Sequence, residues 1–216
     1  MRSLTRLFAI MLVLLSINVQ AQVSVGDILC TDNTFVSAEN FVASGKTAQG
    51  VVFFVDNARQ HGWAVALNDA SASTVTWGSP ESLCFLGSYG TNPQQVYADT
   101  AATYRNDSIY RSAMRFEQMG AFTAEQYATA VYLAHQQGSG WILPSIGQML
   151  ILYSNMPEIN RAIDVISGAT KMNGNGYWSC TEENAGVVGA WMLNYDGSVN
   201  ARPKGDRNYV RAIRNF

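Results

Sequence analysis

Residue types that could act as acid–base groups, nucleophiles or metal ligands are few in this chain and lie far apart. His61 precedes Gly62 in a polar turn, and His135 lies at the end of a predicted helix. Neither histidine has a cysteine or a second histidine at the short spacing of a zinc site. We therefore interpret both as solvent-facing or helix-capping residues and predict no metal site.

The cysteines are Cys30, Cys84 and Cys180. An odd number permits at most one intramolecular disulfide in an exported chain and leaves a thiol over. There is no CxxC motif and no Cys/His cluster, so we interpret all three as small buried residues. A Cys30–Cys84 disulfide is the alternative, which the sequence cannot decide because it does not give the distance between two cysteines.

Carboxylates offer no catalytic pair. Glu182 and Glu183 are adjacent, and on a strand their side chains would point to opposite faces. Glycoside hydrolysis needs two carboxyl groups about 5 to 10 Å apart across a cleft, and nothing in the sequence indicates such a pair. Asp196 precedes Gly197 and is explained as a turn residue. We expect no catalysis and no cofactor, and a hydrolase is the least favoured function.

Two arginines alternate with apolar residues near the end of the chain, Arg211 and Arg214. Their arrangement favours a closing strand held by pairing with acidic groups, such as Glu182 or the chain terminus. Direct contact with a carboxylate or sulfate ligand is the alternative.

Ligand-binding candidates lie mostly in two polar stretches, 183–188 and 200–208, because loops on a rigid scaffold commonly carry binding residues. Trp141, Trp178 and Trp191 lie within strand and turn motifs and are interpreted as core, although tryptophan also suits recognition surfaces. The candidate ligand-binding residues are Trp178, Glu182, Glu183, Asn184, Asn194, Asn200, Arg202, Lys204, Arg207 and Asn208.

The elements that would position these residues begin with strands. Residues 25–69 have a strand-like pattern, in which the runs Gly50–Val55 and Gly62–Leu67 predict an antiparallel pair. Their continuous apolar character indicates that both faces of the sheet are covered.

Helices are predicted in the middle of the chain. Thr123 and Gln126 form a capping box that opens a helix at about 123–137, and Ser145 with Gln148 opens a second helix at about residue 146.

Strand signals return after a third helix, which Pro157 would start and Gly168 would end. The predicted elements are a strand at Trp191–Tyr195, a hairpin turn at Asp196-Gly197 and a closing strand at Tyr209–Ile213. This order predicts an α+β fold with two to three central helices and a mixed or antiparallel sheet in which the terminal segments meet.

The first 21 residues have the pattern of a signal peptide. Arg2 and Arg6 precede nine apolar residues, Leu7–Leu15, and Val19-Gln20-Ala21 suits cleavage. We expect export to the periplasm, the outer surface or the medium, followed by one domain over 22–216 with no transmembrane segment. Charged residues make up 14% of the chain and its net charge is −2, which disfavours nucleic-acid binding.

Several motifs resemble a known family when they are taken in order: Trp141-Ile-Leu-Pro-Ser145, Tyr177-Trp-Ser-Cys-Thr-Glu182, Ala190-Trp191, Asp196-Gly197 and Val210-Arg-Ala-Ile-Arg214. They resemble the C-terminal adhesin domain of bacterial collagen-like proteins, which is related to formylglycine-generating enzymes. The resemblance implies a C-type-lectin-like fold. The family usually has Ser where this chain has Cys180, and the cysteines of the formylglycine-generating enzymes are missing. The motifs of calcium-dependent lectins are missing too, so calcium binding is not carried over.

The resemblance implies a binding or adhesion module at the cell surface, whose partner is a glycan or a protein. The alternative is a structural or tip subunit of a surface assembly.

Overall fold

The computed structural model describes residues 22–79, 128–172, 176–182 and 189–216. The predicted signal peptide, Cys84 and the start of the helix predicted at 123 lie outside these residues. Within the described ranges, no helix combines the length and apolarity that crossing a membrane requires.

The described residues form an α+β fold whose strand pairs are antiparallel. In chain order the strands are β1 (Ile28–Cys30), β2 (Phe35–Val36), β3 (Ala48–Val55), β4 (Gly62–Ala66), β5 (Val75–Thr76), β6 (Trp141–Ile142), β7 (Tyr177–Glu182), β8 (Gly189–Leu193), β9 (Val199–Pro203), β10 (Arg207–Asn208) and β11 (Ile213–Asn215). The helices are α1 (Ala38–Ser44), α2 (Thr129–His135), α3 (Ile146–Ser154) and α4 (Met156–Ile163).

The largest sheet has six strands in the order β2-β1-β3-β4-β11-β6. Strands β3 and β4 form the predicted antiparallel pair. β11 lies between β4 and β6, so the two ends of the described chain meet in one sheet, as predicted. The predicted closing strand, Tyr209–Ile213, begins too early. Residues 210–212 contact the end of β4 and the residues after it without forming a regular ladder. The Ala66 amide donates to the Ala212 carbonyl at 2.9 Å, and the Ala70 amide donates to the Val210 carbonyl at 2.8 Å.

Two smaller sheets complete the fold: β5 with β10, and β7-β8-β9. Strand β8 occupies 189–193 and not the predicted 191–195. The Asp196-Gly197 turn is confirmed: the Asn194 amide donates to the Ser198 carbonyl at 2.8 Å, and the Gly197 amide donates to the Asn194 carbonyl at 3.1 Å. Gly197 has φ 83°, which glycine adopts without steric cost.

The helices follow the capping signals closely. The Ser145 hydroxyl accepts from the Gln148 amide at 3.2 Å and the Gln148 carboxamide accepts from the Ser145 amide at 2.8 Å, which confirms the capping box of α3. Pro157 lies in the first turn of α4, although that helix ends at Ile163 and not at Gly168. The sequence pattern does not predict helix α1, because its seven residues lie within a segment of strand-like pattern.

Three apolar cores stabilise the sheets. The α2 core includes Trp77, Val131, Trp141, Trp178 and Val210. The α4 core includes Ile28, Phe53, Trp63, Ile159 and Ile213. The α3 core consists of Ile146, Met149, Tyr177, Trp191 and Leu193. Neighbouring residues of β4 enter different cores, Ala66 the first and Val65 the second, so both faces of the large sheet are covered there, as the apolar pattern predicted.

Candidate functional site

An open polar cleft of about 560 Å³ lies where the β8–β9 turn approaches β10. Its lining residues come from three places: the turn and the strands beside it, the segment before β7, and the β9–β10 connection. They are Met192, Asn194, Tyr195 and Arg202, then Gly176, and finally Gly205, Asp206, Arg207 and Asn208.

The alternation of β8 and β9 explains why these side chains face the cleft. Trp191 and Leu193 lie in the α3 core, and Val199 and Ala201 pack against it. Because successive strand residues point to opposite faces, Met192 of β8 and Arg202 of β9 point away from α3. On the opposite face, Ala190 and Met192 of β8 are buried in the α2 core, so β8 is anchored on both sides and the exposed part of this face is at Arg202 of β9.

Two polar side chains of the cleft are held by hydrogen bonds. The side-chain nitrogen of Asn194, Nδ2, donates to Ser198 Oγ and to Asn200 Oδ1, at 3.0 Å in each case. An Arg207 nitrogen, Nη2, donates to the Thr74 carbonyl at 2.6 Å. Among the described residues, no hydrogen bond or ion pair involves the exposed side chain of Arg202. One arginine is thus fixed, and a second one is available to a ligand.

Gly176 lets the wall of the cleft close tightly. A Cβ atom at this position would overlap Met192 Cε and lie 2.7 Å from Asn208 Oδ1. Any larger residue would displace Met192 or Asn208, which both line the cleft, so the shape of the site depends on this glycine.

Four of the predicted ligand-binding residues line this cleft: Asn194, Arg202, Arg207 and Asn208. Asn200 supports Asn194 from the side. Tyr195 also lines the cleft but was not among the predicted residues; its side chain is 70% exposed. Its position directly before the Asp196-Gly197 turn was a usable signal, because turn residues project from the sheet.

Three other candidates are buried and do not line the cleft: Trp178, Glu182 and Lys204. Trp178 belongs to the α2 core and its Nε1 donates to the Val75 carbonyl at 2.9 Å. Lys204 forms a buried ion pair with Glu182. The burial of Trp178 agrees with its interpretation as a core residue. Glu182 and Lys204, predicted as ligand-binding residues, lie in the interior instead, because they pair with each other there. Glu183 and Asn184 lie outside the described residues.

The Lys204 ammonium also lies 4.2 Å from the centre of the Trp77 ring. The Trp77 amide donates to the Lys204 carbonyl at 2.9 Å, and Trp77 Nε1 donates to the Ser179 carbonyl at 2.8 Å. This cluster joins three strands, because Lys204 directly follows β9, Trp77 directly follows β5, and Ser179 and Glu182 belong to β7.

The arginines near the chain end have other partners than those suggested. Arg211 pairs with Asp69 at 2.8 Å, and not with Glu182. Burial raises the pKa of the Asp69 carboxyl, and the Arg211 charge opposes that rise. Arg214 donates to Gln49 Oε1 at 2.8 Å. Arg211 also holds two backbone segments together, since it donates to the Ala66 and Thr170 carbonyls at 3.0 Å.

A second concavity, of about 320 Å³, is lined by aromatic residues at the end of β11, with Phe54 stacked on Trp63 at 4.3 Å. His61 lies at its rim and is exposed. In the described ranges no three His, Cys, Asp or Glu side chains are grouped as a metal site would require. Cys30 is a buried free thiol and Cys180 is buried.

The fold is similar to that of a fimbrial protein from Bacteroides ovatus ATCC 8483, known from a crystal structure. The TM-score is 0.55 at 14% sequence identity, and the match covers 90% of this chain and 49% of the fimbrial protein. This chain thus spans about half the length of that protein. No protein-family model matches the sequence, and no curated protein matches it.

Proposed function

We propose that this chain is a subunit of an exported surface assembly. The observation that carries the proposal is the similarity of its fold to that of a fimbrial protein over most of the chain. A fold alone does not define a function, so the proposal also needs a surface through which the chain could join a polymer.

The outer edge of β9 is such a surface. The Asn194 amide donates to the Ser198 carbonyl, and hydrogen-bonded pairs alternate along an antiparallel ladder. The Asn200 and Arg202 backbones therefore face β8 in the observed register, while those of Val199 and Ala201 face away. In the described part of the chain, no strand pairs with this outer edge.

An edge with unpaired N–H and C=O groups can receive a strand from another chain. Pro203 occupies the next outward position and has no N–H to donate. The available edge is therefore short, and an incoming strand would be limited to the stretch around Val199–Ala201.

Assembly is tested on cells that produce the protein. Surface fibres are sheared off, sedimented and probed for this chain with an antibody. We expect the chain in the sedimented polymer. Recovery only as a monomer from the periplasm or the medium would contradict the proposal.

The edge is tested with Ala201→Pro, which removes the outward N–H, and with Ala201→Gly as the matched control, which keeps it. We expect the proline variant to be lost from the polymer and the glycine variant to be retained, provided that both have circular dichroism spectra like the original chain. Equal incorporation of the two variants would exclude this edge.

A second candidate function is recognition of a ligand by the polar cleft. Its support is the exposed Arg202, which lacks a partner among the described residues, beside the anchored Arg207. The two functions are compatible, because the cleft and the β9 backbone edge use different groups of the same hairpin.

The sequence resemblance supports a narrower proposal about the fold: that it is C-type-lectin-like and that residues 22–216 form one domain after a signal peptide. N-terminal sequencing of the exported protein tests the last point, with Gln22 as the expected first residue.

A further inference from the structure

We propose that the polar cleft binds an acidic saccharide, whose carboxylate or sulfate group is held by Arg202 and Arg207. This inference rests on the second candidate function and names its ligand class. It begins from the charges of the cleft, which are two arginines, Arg202 and Arg207, and one carboxylate, Asp206. Among the described residues, Asp206 forms no ion pair with either arginine.

The two guanidinium groups differ in their hydrogen bonds to other described residues. Arg207 is oriented by its bond to the Thr74 carbonyl, which uses only part of its donors, since a guanidinium group carries five N–H bonds. Within the described ranges, no contact uses the side-chain donors of Arg202. Arginine binds carboxylate and sulfate through paired, charge-assisted hydrogen bonds. The cleft therefore favours an anion over a neutral ligand.

The remaining polar groups suit sugar hydroxyls. Asn194 Nδ2 donates to Ser198 and Asn200, and no hydrogen bond among the described residues uses Asn194 Oδ1, which can accept one from a ligand. Asn208 adds a second carboxamide to the wall. Tyr195 offers an exposed ring and a hydroxyl group, a combination that packs on a sugar ring and also hydrogen-bonds to it.

The lining disfavours a protein ligand. Protein hot spots are enriched in Trp, Tyr and Arg that enter well-packed, desolvated pockets, whereas Arg202 and the Tyr195 ring are exposed in this open cleft. A cleft of about 560 Å³ is within the range of small-molecule sites, roughly 300 to 1,000 Å³. One or a few sugar rings would fit, with one end open to solvent.

The test uses the mature chain from Gln22 and isothermal titration calorimetry in EDTA. The probes are trigalacturonic acid, a sulfated heparin disaccharide, neutral cellotriose and a hexaglutamate peptide. We expect at least one acidic saccharide to bind at least about tenfold more tightly than cellotriose, and to bind more weakly at high salt because screening weakens exposed charge pairs. The first two probes distinguish carboxylate from sulfate as the preferred group.

Arg202→Gln should weaken that binding about tenfold or more, the effect of one charge-assisted hydrogen-bonded contact. The matched control is Arg161→Gln, since Arg161 is also exposed but pairs with Glu158 on α4. We expect the control to bind like the original chain. Arg202 is exposed and unpaired in the described structure, so its replacement should leave the thermal midpoint unchanged.

Equal binding of cellotriose, an unchanged affinity of Arg202→Gln, or no binding of either acidic saccharide would overturn the inference. Binding of hexaglutamate as tightly as the saccharides would overturn the assignment to a sugar. The Arg202→Gln variant should still enter the sedimented polymer. A chain that is found in the polymer but binds no acidic saccharide would overturn this inference alone and leave the assembly proposal standing.

Discussion

Lys204 and Glu182 show how strongly the surroundings of a charged residue decide its role. Their side chains are 0% and 1% exposed, although both belong to residue types that are rarely buried. The pair adds little net stability compared with apolar residues of the same size, because each charge has lost its water. Removing one partner, in contrast, leaves the other charge buried and uncompensated.

Lys204→Met should therefore lower the free energy of unfolding by about 3 to 5 kcal/mol, measured by urea denaturation. The exposed pair Lys171–Asp164, with side chains 47% and 60% exposed, is the matched control. We expect Lys171→Met to change stability by less than about 1 kcal/mol. The double variant Lys204→Met, Glu182→Leu should regain much of the loss. Equal effects of the two lysine substitutions would contradict this account.

Asp32 gives a prediction about pH. Its pKa is lowered from 3.8 to about 2, first by the Thr34 hydroxyl, which donates to Asp32 Oδ1 at 2.6 Å, and then by Lys46. The folded chain thus binds this proton more weakly than the unfolded chain does. The stability that the carboxylate contributes is present above pH 4 and is lost as the pH falls towards 2.

The measurement compares the urea midpoint of the original chain with that of Asp32→Asn between pH 5 and pH 2. The difference between them should shrink as the pH falls through this window. Thr34→Val, which removes the hydroxyl that donates to Asp32 and accepts from Lys46, should raise the pKa of Asp32 in an NMR titration. A difference that stays constant down to pH 2 would show that the carboxylate contributes nothing.

At the scale of elements, the β8–β9 hairpin links packing to the candidate site. Its inner residues pack against the α3 core, and its turn carries Tyr195 into the cleft. Two features of the structure require glycine at position 197. Its φ is 83°, and a Cβ atom there would lie 2.8 Å from Tyr153 Cζ. The conformation of the turn and its docking against α3 are thus set at one position.

Gly197→Ala should lower stability more than Gly45→Ala does. Gly45, at the end of α1, has φ 65° and nothing within 4 Å of the added Cβ, so it reports the backbone cost alone, about 1 to 2 kcal/mol. Overpacking against Tyr153 should add about 1 to 3 kcal/mol at Gly197. Urea denaturation measures both, and equal losses would mean that Tyr153 moves aside without cost.

Over the whole molecule, shared elements tie the three cores together. The large sheet separates the α2 core from the α4 core, with Ala212 on one side and Ile213 on the other. Helix α3 contributes Leu152 to the α4 core and Met149 to the α3 core. One face of the β7-β8-β9 sheet packs in the α3 core, but its other face, with Trp178 and Met192, belongs to the α2 core that also contains Trp141 of the large sheet. Independent unfolding of this small sheet would therefore expose residues of the larger sheet.

We expect the described residues to unfold in a single cooperative transition. Each core contains at least one tryptophan, Trp63, Trp178 and Trp191 among them, so fluorescence reports on all three. The urea curves from tryptophan fluorescence and from far-ultraviolet circular dichroism should coincide. Two separated midpoints would show that the sheets unfold as independent units.

The features predicted correctly from sequence are those that local chemistry determines. The capping box of Ser145 and Gln148, the helix start at Pro157 and the Asp196-Gly197 turn each depend on residues a few positions apart. The β3–β4 pair follows from two apolar runs that a short polar loop connects. In each case the groups that interact are neighbours in the chain, so residue type and spacing were sufficient.

The tertiary structure alone decided which distant groups meet. The two-residue strands β5 and β10 have no pattern of their own and exist because their backbones pair across the fold. The partner of Arg211 is Asp69, and Glu182 meets Lys204 in the interior, since residues far apart in sequence are brought together only when the sheets close. The cleft was partly predicted, because its polar residues lie close together in sequence near the β8–β9 turn, but its depth depends on Gly176 packing against Met192 and Asn208.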